Sequence, residues 1–166
     1  MNFMAVDRKI EQEIIDGLNE VSSDRIKSKK DWSTPKWTNC IKEKLKEIGE
    51  QKYLVCPRED SGQWLYDLMW YENDKRKGDF LKNAILVVES EWGNFEKIKY
   101  DFEKLLLCNC KLKLMICQTS QIGMDETYFD KAIHAYKTGN SGERFLIAIL
   151  DDINTSKFTF KVIARK

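Results

Sequence analysis

At 166 residues, with 42% hydrophobic and 33% charged side chains, the chain has the size and balance of one folded domain, not of a disordered or membrane-embedded protein. A net charge of +1 excludes a broadly cationic surface, so contact with a polyanion would fall to local clusters such as Lys27-Ser28-Lys29-Lys30 or Lys75-Arg76-Lys77. No apolar run approaches the ~20 residues of a bilayer span, and residues 1–16 mix charges through their apolar positions, unlike a signal peptide; a cytoplasmic protein without membrane contact is expected.

The first element is a helix over residues 5–21, where Ile10, Ile14, Ile15 and Leu18 recur at helical spacing. Residues 22–31 are polar and lysine-rich and read as a loop. Ser33-Thr34-Pro35 then marks a helix start, since hydroxyls cap free N–H groups and proline suits the first turn. Trp37, Ile41, Leu45 and Ile48 form its buried stripe; Lys42, Glu43, Lys46 and Glu47 lie outside, and Gly49 supplies a stop.

Residues 52–58 read as a short strand, 63–72 as an aromatic-rich strand and 84–92 as a third, together an antiparallel meander. In the second strand Trp64, Tyr66, Leu68 and Trp70 alternate with Leu65, Asp67, Met69 and Tyr71. A helix over residues 95–107 buries Phe95, Ile98, Phe102, Leu105 and Leu106. A strand at 112–119, a helix at 125–137 and a hairpin of 144–150 with 158–164 around Asn154-Thr155 complete the chain. The strand–helix–strand passage from 85 to 119 places those two strands parallel by a crossover, and the remaining pairs are expected to be antiparallel. The fold class is thus α/β (α+β), a mixed sheet flanked by helices. Residues 1–32 form an N-terminal helical extension and loop, and residues 33–166 the core domain.

The five cysteines are odd in number and lack the spacing of a disulfide framework, so they read as reduced, packed thiols. Cys108-Asn109-Cys110 has no histidine pair nearby to complete a metal site. His134 is the only histidine and reads as structural or surface. Gly139-Asn140-Ser141-Gly142 lacks the lysine of a phosphate-binding loop.

The chemistry gathers instead on acids. Ile85-Leu86-Val87-Val88 runs into Glu89-Ser90-Glu91, and alternation points both glutamates to one face. Two carboxylates side by side at the end of a core strand need basic partners, open solvent or a divalent cation. Asp67 sits within the neighbouring strand, and an in-register meander brings it to the face of Glu89 and Glu91. Three convergent carboxylates would suit Mg²⁺; three separate acids each paired with a lysine is the other reading.

A helix, a three-strand meander with Asp67 in its second strand, Glu89-Ser90-Glu91 in its third, a crossover helix and a fourth strand resemble the PD-(D/E)XK nuclease superfamily, with its restriction-endonuclease-like fold. Glu89-Ser90-Glu91-Trp92-Gly93 and Asp101-Phe102-Glu103-Lys104-Leu105-Leu106 also look like segments of small uncharacterised bacterial and phage members. The resemblance covers roughly residues 37–119 and implies a Mg²⁺- or Mn²⁺-dependent enzyme that hydrolyses phosphodiesters in DNA. Asp67, Glu89 and Glu91 would be metal ligands, with Glu91 also serving as a base. Glu91 stands where the superfamily usually has lysine, and Lys104 of the crossover helix is the first substitute, Lys97 the second. Glu43 and Glu47 are the candidates for an acid from the first core helix. The resemblance also leaves room for a homodimer, and for an impaired relative that binds nucleic acid or protein without cutting.

Overall fold

The computed structural model describes residues 3–57, 65–118, 127–151 and 156–165. The chain runs through α1 (Phe3–Ser28), α2 (Thr34–Glu50), β1 (Leu54–Cys56), β2 (Leu68–Asp74), β3 (Phe80–Glu91), α3 (Phe95–Leu107), β4 (Leu112–Gln118), α4 (Tyr128–Ala135), β5 (Arg144–Leu150) and β6 (Phe158–Ala164). Residues 152–155, the expected turn of the closing hairpin, lie outside the described residues, as does Trp64.

α1 continues to Ser28 through the segment expected as a loop. That stretch is polar because most of it faces water. Of its residues only Ser22 is buried, and the Ser22 hydroxyl donates to the carbonyl of Ser156. Lys29, in the left-handed region (φ 52°), ends the helix. α2 begins after an extended Ser33, whose carbonyl accepts from Trp37 N at 3.0 Å, with Pro35 in the first turn. Its stripe of Trp37, Ile41 and Leu45 is fully buried. The side chain of Asn94 caps α3 by accepting from Lys97 N.

The six strands form one sheet in sequence order. β1, β2 and β3 are an antiparallel meander, β3 and β4 are parallel, and β5 and β6 are antiparallel. β4 and β5 are also parallel, which corrects the expectation that every other pair is antiparallel. α4 accounts for it, since a helix between two neighbouring strands returns the chain in the same direction. β4 is the most shielded strand, with all seven residues buried. The edges differ from it: β1 has three residues, and β6 buries only Ile163 of its seven.

Alternation along the strands divides the core into two layers. Leu68, Trp70, Leu86, Val88, Leu112, Leu114, Ile116, Leu146 and Ala148 face Ile14, Leu18, Trp37, Ile41 and Leu45 of α1 and α2. Met69, Val87, Met115, Phe145 and Ile147 face Ile98, Phe102 and Leu105 of α3 and Phe129 and Ile133 of α4. No described helix is long and apolar enough to cross a membrane.

Candidate functional site

The register Leu68↔Val88 brings the start of β2 beside the end of β3, where the acids lie. Glu89 follows Val87 in alternation and points towards α3. It is 3% exposed, and Lys104 Nζ of α3 approaches its Oε1 to 2.6 Å, off the hydrogen-bonding direction. Lys104 also bonds Asp101 Oδ1, one turn earlier, at 3.2 Å.

Burial dominates the electrostatics of Glu89 and raises its carboxyl to about 7, although Lys104 pulls the other way; the charges of Asp101 and Asp67 add to the rise. For Lys104, burial works against the charge, but Glu89 and Asp101 outweigh it and hold the ammonium above the ordinary lysine range. The lysine thus stays charged while the glutamate is balanced between its two forms near neutral pH.

Asp67 turns the other way. It lies in a bend just before β2, free of strand alternation, and its Oδ2 accepts from Ser90 N at 2.8 Å and Ser90 Oγ at 3.0 Å. Its Oδ1 accepts from Lys42 Nζ of α2 at 3.0 Å. Ser90 alternates with Glu89 and faces α2, so the donors that satisfy Asp67 draw its carboxylate to that side. Glu91 folds back on its own turn, where Oε1 accepts from Gly93 N at 2.5 Å. A Cβ on Gly93 would lie 2.8 Å from both Glu91 Oε1 and Lys97 Cδ, so the missing side chain lets these two groups close on the turn.

The three expected acids therefore share one end of the sheet without sharing a centre. Lys104 meets Glu89 as expected of a substitute lysine, whereas Lys97 lies beside the Glu91 turn. Glu43 and Glu47 line an open groove of about 210 Å³ with Asp24, Trp32 and Lys44, and Glu47 pairs with Lys44 at 2.8 Å. The contribution of α2 to the site is Lys42, passed over in the sequence as surface charge. Its position next to Ile41, at the margin of the apolar stripe, was the available signal.

Hard oxygen donors suited to Mg²⁺ are present at this end of the sheet, but they are not gathered as the expected set of three. Among the described residues no three His, Cys, Asp or Glu side chains gather to hold a metal, and Asp67 already spends both oxygens on protein donors. Trp92, just after β3, donates from Nε1 to Thr38 Oγ1 at 2.8 Å and lies tilted against Trp37. His134 is exposed on α4, its Nδ1 2.7 Å from the carbonyl of Asp130.

No family model, curated protein or solved structure matches this chain.

Proposed function

We propose that this chain is a restriction-endonuclease-like nuclease domain that hydrolyses phosphodiester bonds in DNA. The reading is carried by one observation: Lys104 reaches from the crossover helix to the buried carboxylate of Glu89, 2.6 Å away. The setting supports it. α2, β1, β2, β3, α3 and β4 follow the element order of that fold, with Asp67 entering β2 beside the end of β3. In this reading Glu89, balanced near neutral pH, takes a proton from the attacking water. Lys104 stabilises the negative charge that develops on the phosphoryl oxygens, and Lys42 adds a second cation on the α2 side of the same sheet end. These steps use groups of the chain alone; Mg²⁺ and Mn²⁺, expected from the resemblance, enter as variables of the test.

The test incubates the protein with single- and double-stranded DNA under Mg²⁺, Mn²⁺ or a chelator. Cleavage is expected with a divalent ion, reduced on the order of 10²-fold or more by Glu89→Gln and by Lys104→Ala. Absence of cleavage under every ion, or full activity in Glu89→Gln, sinks the nuclease reading. A second reading is favoured by the closure of each acid by a protein partner: a domain of the same architecture that binds DNA or protein without cutting. DNA retarded in a gel yet left intact would support it.

A further inference from the structure

The hairpin that joins β2 to β3 projects from the end of the sheet away from Glu89 as a two-stranded arm. β1 pairs with β2 only as far as Tyr71, and β4 joins β3 only from Leu86 onward. Beyond them Glu72, Asn73 and Asp74 pair with Asn83, Leu81 and Phe80 alone, so both edges of the ribbon lack a strand neighbour. The tip is a 3₁₀ turn, Lys75–Lys77, followed by Gly78 and Asp79 in the left-handed region (φ 98° and 62°). Asp74 caps the turn by accepting from Arg76 N at 3.0 Å, and Asp79 N donates to Asp74 O at 3.1 Å.

These contacts sort the charges of the arm. Its acids are engaged within it: Asp74 on the turn, Asp79 on Asn73 at 3.2 Å, and Glu72 on Asn83 at 2.9 Å with Lys82 3.7 Å away. Lys75 and Arg76 stand exposed at the tip, and among the described residues no carboxylate pairs with either. Phe80 and Leu81, just past the tip on β3, are 67% and 56% exposed and belong to neither core layer. Alternation puts them on opposite faces of the ribbon. The other lysine-rich run differs, since it closes α1 and Lys27 lies 3.8 Å from Asp24.

The geometry points to this arm as a groove-binding element for duplex DNA, with Lys75 and Arg76 on phosphates and Phe80 and Leu81 against base edges. The inference rests on the reading of DNA as the partner but not on cleavage, because Phe80 is separated from Glu89 by roughly 30 Å of β3. The major groove of B-DNA, about 12 Å wide and 8.5 Å deep, admits a two-stranded ribbon. The four residues from Phe80 to Asn83 extend roughly 14 Å, enough to reach its floor. Phosphates then position the arm, and thymine methyl groups take apolar side chains. A flat anionic surface would accept the same cations, but a narrow ribbon with an apolar side chain on each face matches walls on two sides.

The test follows retention of a labelled DNA duplex by the full chain, in a chelator and across a salt series. Wild type and Glu89→Gln are expected to bind alike. Lys75→Ala combined with Arg76→Ala should weaken binding roughly 10-fold or more and reduce the slope of log affinity against log salt by about 2. Phe80→Ala should weaken binding several-fold and leave that slope unchanged. Lys27→Ala combined with Lys30→Ala removes the same charge elsewhere and should change neither quantity. All these side chains are exposed, and circular dichroism checks that each variant keeps the fold. Equal losses in the two double variants, full binding by the arm variant, or a wild type that attaches to phosphatidylserine vesicles and not to duplex DNA overturns the proposal. Cleavage is read separately: binding through the arm with no cleavage under any divalent ion sinks the nuclease reading and leaves the arm standing. Cleavage by a chain whose arm variant binds as wild type does the reverse.

Discussion

A buried carboxylate beside a lysine has two ways to lower its energy: keep the charge and lean on the partner, or keep the proton. Glu89 lies between them, with its carboxyl raised from 4.5 to about 7 chiefly by burial. The folded chain holds that proton over a range in which the unfolded chain has released it. The contribution of Glu89 to stability is therefore fully present below pH 4.5 and lost as pH rises to about 7. The span corresponds to ~3 kcal/mol as an upper bound. Denaturant midpoints of wild type and Glu89→Gln, measured from pH 4 to 8, should diverge across this window, with the variant gaining relative to wild type as pH rises. Parallel curves would contradict the assignment. Lys104→Ala should cost ~2 kcal/mol at pH 8, where it strands a buried charge, and clearly less at pH 5, where Glu89 is protonated. The alternation of Glu89 and Glu91 and the helical spacing that selects Lys104 are properties of local sequence, and both acids were readable there. The direction of Asp67 was not, because it depends on Lys42 and Ser90, contributed from 25 residues before and 23 residues after it.

Elements with a strong apolar period were readable to their ends. α3, β5 and β6 lie where their stripes and turn residues place them, at Phe95–Leu107, Arg144–Leu150 and Phe158–Ala164. Elements whose buried side is narrow were not: the last turns of α1 carry few apolar residues, and β3 begins at Phe80, four residues before its expected start. Those first residues of β3 pair only with the end of β2, so no second neighbour selects apolar side chains there. The junction of α2 with the sheet offers an element-scale test. Gly49, buried near the end of α2, lies against the indole of Trp70, and an added Cβ would overlap that ring. Gly49→Ala gains helix propensity but forces Trp70, 1% exposed, out of place. A net loss of ~1–3 kcal/mol is expected in denaturant melts, together with a shift in tryptophan fluorescence.

At the scale of the molecule, the sheet separates two apolar layers, and α1 belongs to the first as fully as α2 does. Ile14 and Leu18 are completely buried there, and Glu11 pairs with Arg144 at the start of β5. A chain lacking residues 1–32 should therefore lose its cooperative thermal transition, as followed by circular dichroism; a sharp transition near that of the full chain would show the helix to be dispensable. The mixed class of the sheet and its first parallel pair followed from strand–helix–strand order. The second parallel pair was missed although the helix between its strands was expected, because residues 144–150 were assigned only to the closing hairpin with 158–164.

The contrast between the edges and the centre of this sheet also bears on assembly. β1 offers three residues before Pro57, which has no N–H to donate, and β6 carries Lys161, engaged with Asp130 of α4. Short, proline-ended and lysine-bearing borders discourage a second molecule from adding a strand. Growth of the sheet from one copy into the next is thus disfavoured at β1 and at β6. Any pairing of copies falls instead to side-chain surfaces, such as the flank of α3 where Tyr100 and Leu107 stand 67% and 72% exposed.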